Sequence, residues 1–314
     1  MPHDRTFRFG VMAPRAESAR QYRENARKCE DLGYSTLFVP DHFVDHPLAP
    51  IPAMAMVAEA TTKLRVGALV LGNDYKHPVV LAREAATLDL LSDGRLELGV
   101  GAGWMTVDYE KAGLPLDPPG VRVDRLAESI AVLKGLFADG EFSFDGKHYQ
   151  ISDLDGGPRP VQPGGPPILV GGGGKRVLSL AAREADIVGI NANLRRGQAE
   201  HPDAAKSLSA AATDQKLAWV REAAGPRFDD LEIQQYAGFV HFTDDRESLA
   251  AAMAPAFDVT PEVALETPIA IVGTVEQMIE DLLARRERWQ MSYVVVDDAH
   301  AEAFAPVVER LAST

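Results

Sequence analysis

The 314-residue chain has a single cysteine, Cys29, so it cannot form an internal disulfide, as is typical of proteins from a reducing compartment. It lacks any run of about 18 apolar residues that would predict a transmembrane helix, and its first residues show no apolar segment typical of a signal peptide. It is also short of positive charge, with 32 Lys and Arg against 46 Asp and Glu and a formal net charge of −14. We therefore expect a cytoplasmic protein that binds neither nucleic acid nor an anionic membrane.

Several motifs with known chemistry are missing as well. The sequence has no H-E-x-x-H motif and no pair of cysteines, so we predict no metal site. It has no G-x-S-x-G motif typical of α/β-hydrolases. Gly174-Lys175 is not followed by Ser or Thr, which argues against a P-loop.

Short apolar segments alternate with helical patterns along the chain. Eight such segments predict strands at Phe7–Met12, Thr36–Val39, Leu64–Leu71, Leu96–Val100, Ile168–Val170, Asp186–Ile190, Glu232–Phe242 and Ser292–Val296. Capping-box patterns at Ser18/Gln21 and Thr274/Gln277 predict helix starts. Strands that alternate with helices are typical of βαβ units, and eight of them favour a closed (β/α)8 barrel, a TIM barrel of the α/β class, over an open sheet.

Three segments are longer than ordinary connections. We predict a single barrel domain over residues 1–314, with insertions near residues 139–167, 191–212 and 255–268. Long loops in a compact fold are usually functional lids or disordered segments. We expect the first two insertions to form lids over the active site.

A glycine run, Gly171–Gly174, follows the fifth predicted strand and leads into a helix that begins with Lys175 and Arg176. Glycines let a ligand approach the backbone closely, and the free amides of a helix N-terminus favour an anion. We interpret this segment as a phosphate site. A tight turn between strand and helix would need the same glycines, so that alternative stays open.

Polar and aromatic side chains follow several other predicted strands. Asp41 and His42 follow the second strand, where the active-site face of a barrel lies, and a histidine can transfer protons near neutral pH. Trp104 follows the fourth strand and could form a wall for a planar ligand. Further candidates at strand ends are Asn73, Tyr75, His77, Asn191, Asp297 and Asp298. For each of these residues, a role in a turn or in packing is the structural alternative.

Two residues are interpreted as structural. Glu97 alternates with Leu96 and Leu98, so its side chain should point into the barrel, where a buried carboxylate needs a partner. Cys29 lies on the apolar stripe of a predicted helix and is expected in the core.

Together, several motifs resemble those of luciferase-like flavin-dependent monooxygenases. The matching segments are Val39–Phe43, Leu64–Asn73, His77-Pro78, Gly94–Trp104 and Ile168–Gly174. The resemblance is closest to the branch of coenzyme F420-dependent oxidoreductases and runs collinearly from Phe7 to about Val296. It is specific for the superfamily and much less so for the cofactor.

The resemblance implies a flavin or deazaflavin ring at the carboxyl ends of the barrel strands. The residues that it assigns to the cofactor are Leu69, Val70, Asn73, Ala102, Gly103 and Trp104 beside the ring, and Gly172, Gly173, Gly174, Lys175 and Arg176 at the phosphate. It also implies a non-prolyl cis peptide near Leu69–Val70. Asp41 and His42 match an acidic residue and an active-site histidine of glucose-6-phosphate-oxidising relatives. Those relatives carry a glutamate where this chain has Trp104, a departure that argues against sugar-phosphate oxidation.

The predicted function is hydride transfer between coenzyme F420 and a small organic substrate whose identity the sequence does not give. His42 would carry the accompanying proton, and Asp41 would set its tautomer. One alternative is an FMN-dependent monooxygenase that receives reduced flavin from a separate reductase and uses O2. A second is a homologue that binds the cofactor without catalysis. Relatives pair through helices near Val79–Leu91, so we also expect a homodimer.

Overall fold

The computed structural model describes residues 5–13, 15–199, 201–312 and 314. Its strands are β1 (Arg8–Met12), β2 (Thr36–Val39), β3 (Arg65–Ala68), β4 (Leu71–Gly72), β5 (Leu96–Gly101), β6 (Glu141–Asp145), β7 (Gln150–Asp155), β8 (Ile168–Gly172), β9 (Ile187–Ile190), β10 (Glu232–Ala237), β11 (Phe239–Phe242), β12 (Ala270–Gly273) and β13 (Met291–Asp297). Its helices are α1 (Ala19–Asp31), α2 (Pro50–Ala60), α3 (Pro78–Leu91), α4 (Thr106–Ala112), α5 (Pro119–Phe137), α6 (Lys175–Glu184), α7 (Pro202–Lys206), α8 (Ala210–Ala224), α9 (Arg246–Phe257), α10 (Pro261–Ala264), α11 (Val275–Trp289) and α12 (Asp298–Leu311).

Eight parallel strands close into a barrel in sequence order, which confirms the predicted fold class. The barrel strands are β1, β2, β3, β5, β8, β9, β10 and β13. The last strand returns to the first, with Met12 opposite Asp297 in the register of β1 and β13. The carboxyl ends of all eight strands therefore lie at one face of the barrel.

Local sequence signals set the helix starts. Ser18 accepts a hydrogen bond from the amide of Gln21 at 3.2 Å and caps α1. Thr274 and Gln277 form both hydrogen bonds of a capping box at the start of α11. Both predicted helix starts are confirmed.

Two predicted strands are interrupted. Leu64–Leu71 divides into β3 and β4, and a non-prolyl cis peptide between Leu69 and Val70 lies between them. Glu232–Phe242 divides at Gly238 into β10, which belongs to the barrel, and β11, which pairs with β12 outside it. The continuous apolar pattern concealed both breaks.

Buried polar contacts hold the amino-terminal end of the barrel. Glu97 is fully buried and accepts hydrogen bonds from Arg65 Nε at 2.8 Å and the Tyr293 hydroxyl at 2.9 Å, and it also pairs with Arg8. Its structural interpretation is confirmed. Cys29 lies on the buried face of α1, as expected.

The insertion near residues 139–167 is not a lid, which corrects our expectation. It follows α5 and precedes β8, so it joins a helix to a strand, and none of residues 139–167 lines the cavity at the carboxyl ends of the barrel strands. Glu128 on α5 accepts backbone hydrogen bonds from residues 147–149 and holds the hairpin β6–β7 against that helix. The insertion near residues 191–212 follows β9 instead, and part of it does lie over the active-site face.

No helix in the described ranges combines the length and apolarity that crossing a bilayer requires.

Candidate active site

A cavity of about 710 Å³ opens at the carboxyl ends of the barrel strands. Its wall combines residues at or after the carboxyl ends of β1, β2, β3, β5, β8, β9, β10 and β13 with part of the segment after β9. Its size lies within the range typical of small-molecule and cofactor sites. Among the residues that the structure describes, no group of three or more His, Cys, Asp or Glu side chains could hold a metal ion.

The irregular segment between β3 and β4 forms one wall of the cavity. Leu69 and Val70, joined by the cis peptide, both line it. Glycines on β5 make room for this segment: a Cβ at Gly99 would lie 1.9 Å from the Ala68 carbonyl oxygen, and one at Gly101 would lie 2.5 Å from Val70 Cγ2. The cis bond that the resemblance implied is present at the expected position.

The glycine run after β8 forms a second wall and leads into α6. Gly174 is the N-cap of α6 and provides no side-chain cap, so the first amides of the helix are left without intrahelical acceptors. A Cβ at Gly174 would meet nothing within 4 Å, whereas one at Gly173 would lie 2.1 Å from the Ala192 carbonyl oxygen. The site is thus open at Gly174 and closely packed at Gly173.

Both basic residues at the start of α6 already have acidic partners. Lys175 Nζ lies 3.3 Å from Glu222 Oε2, and Arg176 pairs with Asp124 and donates to the Gly120 carbonyl at 3.0 Å. Both side chains are more than half exposed. The backbone amides are therefore the better-defined groups for an anion at this helix.

His42 lines the cavity and has a buried carboxylate partner. Its Nδ1 lies 2.6 Å from Oδ2 of Asp108, a fully buried residue on α4. Asp108 Oδ1 accepts the backbone amides of Phe43 and Val44, each at 3.0 Å. The carboxylate therefore fixes both the imidazole and the loop that carries it, and it leaves Nε2 of His42 available to a ligand.

Asp41 does not have the role that the sequence predicted. Its Oδ2 accepts the amide of Gly72 at 3.0 Å, and the contact to His42 Nδ1 is made by Asp108 instead. Neighbouring residues in an extended loop point in different directions, so adjacency in sequence did not bring the two side chains together. Asp41 still lines the cavity, and burial raises the pKa of its carboxyl.

Aromatic side chains surround His42. Trp104 lines the cavity and lies edge-on to His42, with ring centroids 5.5 Å apart, and His46 lies 5.4 Å away on another side. Burial, and then the neighbouring His42, lower the pKa of His46. Tyr75 also lines the cavity, with its hydroxyl 3.5 Å from Asp108 Oδ2.

Most residues that the resemblance assigned to the cofactor line this cavity: Leu69, Val70, Ala102, Gly103, Trp104, Gly172, Gly173, Gly174, Lys175 and Arg176. Asn73 does not. It is buried and its amide donates to the Tyr149 hydroxyl at 3.4 Å, because residues 73–75 form a turn of 3-10 helix that directs it away from the cavity. His77 caps α3 by accepting a hydrogen bond from the amide of Val79. It therefore has the structural role in a turn that was the alternative to a site role.

Three polar residues of the cavity come from the far strands. Gln234 and Tyr236 on β10 line it, and so does Asp297 at the end of β13. The Tyr236 hydroxyl donates to Asp297 Oδ1 at 2.7 Å. Of these, only Asp297 was predicted as a site candidate, because Gln234 and Tyr236 lie inside an apparently continuous strand. Asp108 was missed as well, since nothing in the sequence links it to His42.

The segment after β9 covers one side of the cavity. Asn191–Arg195, Ala199, Ala204, Ala205 and Leu208 contribute to the wall. Lys216 on α8 is 2% exposed and donates to the carbonyls of Asn191 at 2.6 Å and Ser207 at 2.5 Å. One ammonium group thus holds both ends of this segment.

Comparison with known proteins supplies the family. Residues 6–292 match the family model described as luciferase-like monooxygenase. The F420-dependent glucose-6-phosphate dehydrogenase of Amycolatopsis mediterranei is 32% identical over 170 residues, which cover 52% of this chain and 50% of that protein. The FMNH2-dependent dimethylsulfone monooxygenase of Pseudomonas putida is 32% identical over 152 residues, which cover 48% of this chain and 42% of that protein. The chain thus spans about half the length of these curated relatives.

A solved structure extends the similarity of fold to the whole chain. The coenzyme F420-dependent tetrahydromethanopterin reductase from Methanopyrus kandleri superposes with a TM-score of 0.76 and 17% identity, covering 98% of this chain and 99% of that one. At this level of identity the superposition establishes the barrel fold alone.

Proposed function

Because the chain belongs to the luciferase-like monooxygenase family, we propose that it is an oxidoreductase that transfers a hydride between coenzyme F420 and a small organic substrate. The observation that carries the proposal is one cavity that combines an open helix N-terminus, the Leu69–Val70 wall and the His42–Asp108 pair. The first two features suit a phosphate-bearing planar cofactor, and the third suits proton transfer.

The residues of the cavity fit such a cofactor. The amides at the start of α6 would hold its phosphate, and the open space at Gly174 leaves room for that group. Leu69 and Val70 would pack against one face of the ring. When bound, the deazaflavin supplies the hydride chemistry, while the protein supplies placement and electrostatics.

His42 would transfer the accompanying proton at Nε2. As an alcohol carbon gives up a hydride, its hydroxyl must give up a proton, and a base within hydrogen-bond reach speeds that step. Asp108 keeps the proton of the neutral imidazole on Nδ1 and stabilises the imidazolium that forms. In the reverse direction, the same nitrogen returns the proton to a carbonyl oxygen. The segment after β9 would limit the access of water to the cavity.

A second candidate is an FMN-dependent monooxygenase. The similarity to the FMNH2-dependent dimethylsulfone monooxygenase supports it, and the same helix N-terminus would suit the phosphate of FMN. In that case a separate reductase would supply reduced flavin. The His42–Asp108 pair suits the proton transfer that accompanies hydride transfer, and it favours an enzyme over a homologue that only binds a cofactor.

The deciding experiment is turnover under strict exclusion of O2. We expect the protein to reduce F420 with members of a panel of small alcohols, or to oxidise reduced F420 with the matching ketones, followed by the absorbance of the deazaflavin. His42→Ala should lower the rate by about 10² to 10⁴ and leave the Kd for F420 nearly unchanged. A parallel assay with reduced FMN and O2 covers the second candidate, and product formation there, with none from F420, would establish that candidate instead.

A further inference from the structure

Asp297 and Tyr236 form a second polar group in the cavity, separate from His42 and Asp108. The Tyr236 hydroxyl donates to Asp297 Oδ1 at 2.7 Å, and both residues line the cavity. Asp297 precedes α12 but its side chain does not cap that helix. Burial, and then Asp297, raise the pKa of Tyr236, so the phenol remains a donor. The contact orients the carboxylate and leaves its second oxygen for a ligand.

Gln234 adds an unused donor to this group. It lies two residues before Tyr236 on β10, so both side chains point to the same side of the strand. Gln234 is 2% exposed and lines the cavity, and its Nε2 has no hydrogen-bond partner. Gly189 on β9 makes room for it, because a Cβ there would lie 2.9 Å from Gln234 Oε1. Buried polar groups are normally hydrogen-bonded, so an unpaired one beside a cavity points to a bound ligand.

The charges around the cavity disfavour an anion at this end. Lys175 pairs with Glu222 and Arg176 pairs with Asp124, so both of these cations have acidic partners. Arg122 donates to the carbonyls of Ala102 and Gly103, which follow β5 on the opposite side of the barrel from β13. A fourth, Arg195, is exposed on the segment after β9. Asp41 and Asp297 instead place carboxylates on the wall. An anionic substrate group here would face like charge.

Another part of the cavity wall is apolar. Ala192, Ala204 and Leu208 are buried together, with Leu194 and Ile269 packed against them, and all five line the cavity. An apolar surface of this kind suits a hydrocarbon body better than a heavily hydroxylated one.

We infer that the substrate is an uncharged, largely apolar alcohol, or the corresponding carbonyl compound, that carries a second hydroxyl group. Asp297 determines this specificity by accepting a hydrogen bond from the second hydroxyl and by rejecting analogues that carry an anionic group there. Tyr236 acts as a positioning residue for Asp297. The inference rests on the proposed function, because it concerns the substrate of the same site.

Two probes of the same shape test the inference by isothermal titration. Cyclohexanediol and hydroxycyclohexanecarboxylate, each with its groups on opposite ring carbons, offer the same reactive hydroxyl with a second group that is either neutral or anionic. Wild type should bind the diol at least about tenfold more tightly. Asp297→Asn can still accept a hydrogen bond from the Tyr236 hydroxyl but carries no negative charge. The preference for the diol over the carboxylate should therefore fall to about threefold or less. Tyr236→Phe should weaken diol binding while the Kd for F420 stays unchanged.

Asp298→Asn is the matched control, because Asp298 is the next residue, is exposed and does not line the cavity. It should keep the wild-type preference. Equal or tighter binding of the carboxylate by wild type, binding of neither probe, or an unchanged preference in Asp297→Asn would overturn the inference. Titration of F420 on the same preparations separates the two proposals, since failure of cofactor binding contradicts the proposed function itself.

Discussion

Asp108 Oδ2 lies 2.6 Å from Nδ1 of His42, although 66 positions separate the two residues in the sequence. The contact depends on α4, which follows β5 and brings Asp108 beneath the loop after β2. Tyr109 on the same helix donates to Asp74, which also pairs with Arg125 on α5. The fixed orientation of His42 is therefore a product of packing between three βα units.

Asp108→Asn should lower turnover far more than it lowers cofactor affinity. The asparagine oxygen can still accept the amides of Phe43 and Val44, but its amide group would donate to His42 Nδ1 and favour the wrong tautomer. In a comparable arrangement this change costs about 10⁴ in kcat. We expect a loss of about 10² to 10⁴, with the Kd for F420 within a few-fold of wild type, measured by single-turnover kinetics and fluorescence titration.

Asp41→Asn tests whether Asp41 or Asp108 is the functional partner of His42. Asparagine can still accept the Gly72 amide at this position, and the His42–Asp108 contact is not involved. Its effect on turnover should be smaller than that of Asp108→Asn. The opposite order would mean that Asp41 is the functional partner of His42.

Gly174→Val tests the phosphate site. A Cβ at Gly174 would meet nothing within 4 Å, so the melting temperature should stay close to wild type, while the free amides of α6 become less accessible to a ligand. We expect the Kd for FMN to rise by more than about tenfold, or about 1.4 kcal/mol. Riboflavin lacks the phosphate and should bind both proteins equally, so an equal loss for the two ligands would place the phosphate elsewhere. Gly173→Val is less informative, because it would collide with the Ala192 carbonyl.

The buried side chain of Lys216 predicts how the free energy of unfolding depends on pH. Burial lowers the pKa of Lys216 from 10.5 to about 8. Between these values the unfolded chain binds a proton that the folded protein does not, so stability rises with pH in this window. The unfolding free energy of wild type relative to Lys216→Met should therefore increase by about 3 kcal/mol from pH 8 to 10.5. Denaturant titrations at several pH values measure the difference, and a flat or falling difference would show that the two carbonyl contacts offset burial.

The expected homodimer would use helix α3, on which only a small apolar surface is exposed. Ala82, Ala85, Ala86 and Leu88 are buried within the chain, whereas Leu90 is 45% and Leu91 76% exposed. We still expect a dimer through the end of α3, because exposed leucines there would gain from burial. Light scattering should give a dimer mass for wild type and for the control Leu283→Glu on α11, and a lower mass for Leu91→Glu. A monomeric wild type would reject the prediction.

The fold was largely predictable from the sequence because the alternation of strand and helix is a local signal. Apolar segments marked all eight barrel strands, and Thr274 and Gln277 marked a helix start. Breaks within an apolar segment were not predictable, since Gly238 alone does not indicate that β11 leaves the barrel. The face on which an insertion lies depends on whether it follows a strand or a helix, which is why residues 139–167 were wrongly expected to form a lid.

Site residues were predictable only where a single sequence segment places them at the end of a strand. The glycine run, Trp104 and His42 lie at strand ends, and a barrel brings strand ends together. Pairs such as His42–Asp108 and Tyr236–Asp297 depend on side-chain direction and on packing between distant units. Such contacts leave no pattern of spacing in the sequence.

The most direct test of the central proposal is anaerobic titration of the purified protein with F420 and with FMN, followed by fluorescence and absorbance. The proposed function predicts that F420 binds at least about tenfold more tightly than FMN and that Gly174→Val weakens its binding. Saturable binding of FMN with no binding of F420 would contradict it.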